Sequence, residues 1–347
     1  MTDVITTVSA IGIDLGDRDA YYVCLDEGEV NVEEGRVAMT RVAFERTFGS
    51  FEPTRIAIEA GAQSRWVAKL LEEMGHEVIV ANPRQVSLIS ANTSKNDPND
   101  AELLARLARV DPSLLSPLEH RGDAEQRVLL AIRARAQLVK TRTALMHSAR
   151  GMLKSFGLRL PQAHSEDFVE RARQAVPAEL LSPLEGLFRI VGEVTKEILK
   201  YDELVEEIAG KQYPAVQRLR EVPGVGTLTA LTFVTTLGDP GRFAKSRDAG
   251  AFLGLRPRQR QSGGQNPQLS ITKAGDIYLR SLLVQSAHCV LRQHAPDTAL
   301  KRWGLKLCER GGANAKKRAI VAVARKLAVL LHKLWVSGEA FRPFPAH

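Results

Sequence analysis

The chain has 347 residues, 44% of them hydrophobic and 25% charged. That is enough for a sizeable core in two or three domains and ordinary for a globular protein. Three scattered cysteines, Cys24, Cys289 and Cys308, exclude a disulfide framework and a zinc cluster and point to a reducing, cytoplasmic setting. No basic-then-apolar leader opens the sequence, and Arg325, Lys326 and Lys333 break the apolar runs near its end, which excludes a membrane span. The formal net charge of +8 is unevenly held: residues 214–347 carry 22 Lys and Arg against 7 Asp and Glu, while residues 1–213 carry 26 against 33. The last third is built to meet a polyanion, and nucleic acid is the usual one.

In chain order, residues 9–16 (SAIGIDLG) form an apolar strand ending in an acid and a glycine, and residues 20–25 follow as its hairpin partner. Residues 37–44 predict a third strand, Arg55–Glu59 a fourth that again ends in an acid, and Glu77–Ala81 a fifth. Residues 63–74 have helical spacing, with Trp66, Leu70, Leu71 and Met74 on one face. Asn82-Pro83 opens a further helix. Asp97–Val110 is another, with Leu103, Leu104, Leu107 and Val110 apolar. Hairpin strands followed by alternating strands and helices predict a mixed sheet flanked by helices. Residues 111–122, with Pro112, Pro117 and Gly122, have linker chemistry. Two long helices follow, over 125–156 (Leu130, Leu138, Leu145 and Leu153 returning near one face) and 184–212. Such a pair forms an antiparallel hairpin, an oligomerising coiled coil or a plain intradomain contact. From Leu219 come the turn VPGVG, a Gly/Gln/Ser-rich loop, an arginine-bearing helix from Ile277 and a last amphipathic helix over 315–334. Aromatic residues make up 5% of the chain, which argues against base-stacking platforms of the single-strand-binding kind.

Four acids carry the chemistry. Asp14 and Glu59 end strands and so stand at an edge of the sheet. Asp97 and Asp100, three residues apart, share one side of a first helical turn. A structural helix start has the same look, with Asp97 as N-cap, Pro98 at the first helical position and Asp100 favoured by the dipole. Taken with Asp14 and Glu59, the pair supplies the oxygen ligands that Mg2+ or Mn2+ requires, and two such ions about 4 Å apart clamp the oxygens of a phosphodiester exchange. In the basic part, Arg256, Arg258 and Arg260 alternate toward Ser262-Gly263-Gly264. Arginine reads phosphate, and a serine among glycines exposes its hydroxyl as a nucleophile needs. A flexible turn has the same composition, and Ser270 competes for the role. His288 and His294 read as packing or surface residues. VPGVG resembles a helix-hairpin-helix turn, in which Gly224 and Gly226 let backbone N–H groups approach a phosphate; a tight interhelical turn reads the same. Lys273, Lys316, Lys317 and Arg318 complete the candidate phosphate contacts.

Together these motifs resemble the DEDD transposases of the insertion-sequence one-ten family. IGIDLG, IAIEAG and KNDPNDAELLA occur in order in the first half. VPGVGTLTALTFVTTLGDPGRFAKSRDAGAFLGLRPRQRQSGG, ITKAGDIYLRSLLVQSA and KKRAIVAVARKLAVLL follow in the last third. The resemblance implies an α/β domain of RuvC-like, ribonuclease-H type over residues 1–115, an all-α coiled-coil region over 116–213 and a mostly helical transposase domain over 214–347. It implies that Asp14, Glu59, Asp97 and Asp100 are catalytic metal ligands and that Ser262, with Ser270 as the alternative, is the nucleophile. DNA, an element-encoded noncoding RNA and a homodimer or homotetramer are the implied partners. Three other readings stay open at this stage. One is a metal-dependent nuclease or Holliday-junction resolvase without serine chemistry. Another is an actin-like ATPase or sugar kinase, for which further glycine-rich phosphate loops are missing. The third is a non-catalytic nucleic-acid-binding protein.

Overall fold

The computed structural model describes residues 8–84, 86, 96–260, 267, 269–312 and 314–344. They fall into two compact units, Met1–His120 and Arg121–His347. The first is a mixed α/β sheet; the second is mostly helical.

In the first unit, strands β1 (Ala10–Leu15), β2 (Asp19–Leu25), β3 (Asn31–Ala38), β4 (Arg55–Glu59) and β5 (Glu77–Ala81) form one sheet in the order β3-β2-β1-β4-β5. The β1–β2 and β2–β3 pairs are antiparallel, while β1–β4 and β4–β5 are parallel. Alternation along the strands assigns the faces. Ile11, Ile13, Tyr22, Cys24, Ile56 and Ile58 pack on helices α1 (Arg41–Phe48) and α2 (Ser64–Glu73) through Phe44, Phe48, Val67 and Leu71. The opposite face, with Val23, Leu25, Ala57 and Ile79, is covered by helix α3 (Asp97–Val110) through Ala101, Leu104, Ala105 and Ala108. Gly12 is the hinge of that second contact. A Cβ there would lie 2.0 Å from the Ala101 carbonyl oxygen and 2.5 Å from the Ala105 nitrogen, so backbone rests on backbone.

Several expectations change. Residues 37–44 are not a strand: β3 ends at Ala38, and α1 begins after Thr40, whose side chain accepts a bond from the Ala43 N–H. The apolar residues at 44 and 48 are a helical pair, both fully buried. On α3, Leu104 is buried and Leu103 and Leu107 pack beside it as expected, but the closest contact is made by Ala101, Ala105 and Ala108, and Val110 is 65% exposed. Residues 111–118 are no loose linker. Leu115 is buried at the end of a 3-10 turn, the Leu118 N–H donates to Val80 O at 2.8 Å, and the Asn82 N–H donates to Leu115 O at 2.9 Å. The helix expected from Asn82-Pro83 runs into residues that, from 85 to 95 except Val86, lie outside the described ones.

In the second unit, α4 (Asp123–Leu153) and α6 (Ala178–Gln212) run antiparallel. Val128 and Ile132 share a core with Val205 and Ala209, while Met146, Ala149 and Leu153 share another with Leu184, Phe188 and Val191. The short α5 (Phe168–Ala175) closes that second core through Phe168 and Ala172. Leu130 is 68% exposed, although Leu145 and Leu153 of the same row pack in the second core: it stands two residues, about 200° around the helix, from both Val128 and Ile132, which take the packed face at that end. Helix α6 starts before Pro183 and contains it. The main core also takes in α7 (Pro214–Leu219), α8 (Thr227–Leu237), α9 (Arg247–Phe252), α10 (Ile277–Val290), α11 (Ala299–Cys308) and α12 (Ala315–Ser337); α8, buried on nearly every side, packs against α4, α6, α7 and α10, and its Phe233 meets Trp335 of α12. Among the described residues of this unit, Arg280 and Lys301 are buried cations. Arg280 donates to Leu253 O and Ala274 O at 3.1 and 2.6 Å, and Lys301 donates to Gln293 O and Ala295 O at 3.1 and 2.6 Å. His332 is also buried: it must donate through Nε2 to Pro240 O, leaving Nδ1 to accept from Ser246 Oγ, each at 3.1 Å.

Two predictions follow from this packing. Gly12→Ala must lift α3 and should cost the N-terminal unit about 3 kcal/mol, at the upper end of overpacking effects. Gly61→Ala, where a Cβ meets nothing within 4 Å, should shift urea unfolding by no more than about 0.5 kcal/mol. At His332, burial lowers the imidazole pKa, and the Pro240 carbonyl pulls it back up only in part. The folded state therefore binds fewer protons than the unfolded one just below the unfolded value of about 6.5, and stability rises with pH there. The contribution is complete above that value and is lost as pH falls below it. Urea midpoints at about pH 7.5 and about pH 5 should differ more for the native chain than for His332→Gln.

Candidate active site

Strand parity decides where the acids stand. Ile11 and Ile13 face α1 and α2, so Gly12 and Asp14 face α3; in β4, Ile56 and Ile58 face one way and Ala57 and Glu59 the other. The parallel register pairs Ile13 with Ile58, which makes Asp14 and Glu59 the next neighbours at the carboxyl ends of adjacent strands. Because α3 is seated on Gly12 through Ala101 and Ala105, its first turn, with Asp97 and Asp100, opens toward those same ends. All four carboxylates line one cleft of about 600 Å³, together with Asp17, Gln63 and Asn96. The N-cap of α3 is Asn96, whose side chain accepts from the Asn99 N–H at 2.9 Å. This corrects the expectation that Asp97 caps the helix. The Asp97 carboxylate instead lies 3.8 Å from Arg36.

The donor set suits a hard divalent ion: among the described residues, every ligating side chain in the cleft offers oxygen and no Cys or His lines it. Among the described residues, no three of His, Cys, Asp or Glu form a closed ligating group. The cleft gathers the acids at one rim without a finished cage.

In the second unit, Arg256, Arg258 and Arg260 are exposed on an extended arm. Its partner arm is bridged at Pro257–Ile271, with the Arg258 N–H donating to Ser270 O and the Thr272 N–H to Arg256 O, both at 2.9 Å. Ser262 lies outside the described residues; Ser270 belongs to the bridged base of that loop. Lys273 is exposed at φ +56°, and its N–H donates to Gly254 O at 3.0 Å. Lys316, Lys317 and Arg318 are exposed in the first turn of α12. Gly224 takes φ +84°, and a Cβ there would press 2.9 Å from Ser286 O, so its glycine is required by the turn and by contact with α10. Gly226 is exposed as the N-cap of α8, which has no side-chain cap. His288 and His294 are both exposed.

A DEDD transposase family model, described as Transposase, matches residues 11–157, and the model described as Transposase IS116/IS110/IS902 family matches residues 216–302. The transposase for insertion sequence element IS1111A of Coxiella burnetii is 31% identical over 96% of this chain and 92% of its own length. The chain belongs to the IS110 family of transposases. A probable family 20 transposase of Pseudomonas aeruginosa (31% identical over 97% of this chain and 99% of its own) and the transposase for insertion sequence element IS1328 of Yersinia enterocolitica (29%, 96% and 98%) are similar over comparable spans. The protein is thus a DNA transposase, an enzyme of DNA recombination, and no helix among the described residues is long and apolar enough to cross a membrane.

Asp17 and Asn96 at the cleft, and Arg36 beside Asp97, are not among the site residues expected from the sequence. Asp17 stands three residues after Asp14, the same step that separates Asp97 from Asp100, and that spacing could have marked it. Nothing local marks Arg36, which reaches Asp97 from β3. Asn96 fixes the start of α3, and Asn96→Ala should cost about 1 kcal/mol as a lost cap. The check is a lower urea midpoint for the N-terminal unit, recovered by Asn96→Asp.

Proposed function

We propose that this IS110-family transposase cuts and exchanges DNA strands through a divalent metal site held by Asp14, Glu59, Asp97 and Asp100, with Ser262 as nucleophile. The observation that carries the reading is the convergence of the four acids on one cleft at the carboxyl ends of β1 and β4. The sheet order and its mixed pairing support a RuvC-like, ribonuclease-H type for residues 1–115; residues 116–213 are then the coiled-coil region and 214–347 the transposase domain. Mg2+ or Mn2+, when bound, would polarise the scissile phosphate and draw charge from the departing oxygen. The four carboxylates would hold the ions, with Arg36 standing beside Asp97. In the exchange step the Ser262 Oγ–P bond forms as the strand's P–O bond breaks, and the proton given up by the serine ends on the leaving hydroxyl. Arg256, Arg258, Arg260, Lys273, Lys316, Lys317, Arg318 and the turn at Gly224 and Gly226 meet the phosphates. An element-encoded noncoding RNA is the second polyanion of this scheme. Exposed Leu130, Ile190, Leu199 and Leu204 on the long helices support assembly as a homodimer or homotetramer.

Asp14→Asn and Asp100→Asn should abolish Mn2+ binding in calorimetry and strand cleavage on element-end DNA, while leaving DNA affinity in place. Ser262→Ala should retain Mn2+ binding and lose the covalent protein–DNA species; full cleavage by that variant would favour a metal-dependent nuclease instead. The double change Arg258→Gln and Arg260→Gln should reduce the slope of log K against log salt by about 0.9 for each phosphate contact removed.

A further inference from the structure

We propose that a second cleft, in the helical unit, holds one unstacked nucleotide of a nucleic-acid strand, its base against an apolar floor and its phosphates on a basic rim. This rests on the nucleic-acid reading above and goes beyond it by assigning a base pocket.

The cleft measures about 790 Å³, within the range of small-ligand sites. One wall is α12, where Lys317, Val321, Arg325 and Val329 recur at every fourth residue and so share a stripe. The facing wall is the bridged pair of arms, which contributes Leu255, Pro257, Ser270 and Ile271. Trp303 of α11 closes the end, and the Lys326 ammonium stands 4.4 Å from its ring centroid. Lys317, Arg318, Arg325 and Lys326 make the rim cationic, and among the described residues no Asp or Glu lines the site.

An apolar floor under four cations excludes a neutral greasy ligand and a simple inorganic anion alike. A nucleotide satisfies both parts: a flat, weakly hydrated base and a phosphate that a guanidinium reads. Its base edge would meet the Asn314 carboxamide and the Ser270 hydroxyl, both on the lining. The site continues into the arm bearing exposed Arg256 and Arg258, so a strand can pass from one to the other. With a single indole this is a pocket for one base, consistent with the scarcity of aromatics that argues against a stacking platform.

The test uses full-length protein and fluorescence anisotropy with labelled strands of about twelve nucleotides, a usual span for a single-strand groove. Four probes are compared: single-stranded DNA, single-stranded RNA, a fully abasic DNA strand of equal length, and duplex element-end DNA. The wild-type protein should bind the abasic strand about tenfold more weakly than the base-bearing one. Ala322 also lines the cleft from α12; Ala322→Phe, which fills the cleft and removes no charge, should erase that difference by weakening the base-bearing strand, with duplex binding kept within about twofold. Loss confined to DNA or to RNA identifies the strand that occupies the site. Equal wild-type affinity for abasic and base-bearing strands, measured on unmodified protein, overturns the proposal whatever the variant's fold. So does an Ala322→Phe protein with unchanged single-strand affinity. Failure of the transposase mechanism would look different: wild-type protein inactive on element ends while the base preference persists.

Discussion

The absence of a side chain at Gly12 governs the geometry of the first unit. With the Ala101 carbonyl oxygen 2.0 Å from where a Cβ would stand, α3 lies on β1 at backbone distance. Ala101, Ala105 and Ala108 repeat that smallness from the helix side, and all three are fully buried. An ordinary helix-on-sheet contact, spaced by leucines or valines, would lift α3 from the sheet and carry Asp97 and Asp100 away from Asp14 and Glu59. The acids are therefore brought to one rim by residues that have no chemistry of their own.

The second unit uses positive charge in two ways. Arg280 ties Leu253 to Ala274, where the glycines on either side also interlock: a Cβ on Gly254 would lie 2.2 Å from Ala274 atoms, and one on Gly275 2.2 Å from Phe252 O. Lys301 does similar work on the carbonyls after α10. These cations are structural, since a buried charge is tolerated only where carbonyls or a counter-ion receive it. The surplus that remains for a polyanion is concentrated on the arm from Arg256 to Arg260 and the first turns of α12. A count of Lys and Arg over 214–347 points to the right partner and overstates the contact.

Most of the sheet and the long helices were legible because their signals are local. Strand runs that end in an acid at Asp14 and Glu59, and a proline-started helix after Asn96, need only period and turn chemistry. The errors share a different cause. Residues 37–44 are apolar enough for one strand, yet β3 stops at Ala38, and the Thr40 cap and the burial of Phe44 with Phe48 make a helix from Arg41 on. Leu130 looks like core by its heptad-like spacing, yet the partner helix takes Val128 and Ile132. His332 and Trp303 carry no sequence mark at all, because what makes them notable is the segments that fold against them. The gathering of the acids was readable as a wager on order along the chain; the alanine face and the Asn96 cap that produce it were not.

The cap has an energetic consequence for the cleft. Adjacent strands lie about 5 Å apart, and two carboxylates at that separation repel by about 1–3 kcal/mol for effective dielectrics between water and a protein surface. The N-terminal end of α3 favours nearby negative charge by only about 0.3–1 kcal/mol, and the exposed Arg36 beside Asp97 adds a contribution of the surface-pair kind. Were Asp97 the cap, its charge would be absorbed by the helix, and the cluster could be read as a stability device. Asn96 takes that role, so Asp97 is left to join the three other acids that line the cleft. On the proposed reading, a divalent cation would offset the repulsion among these carboxylates, a role that a helix cap would not call for.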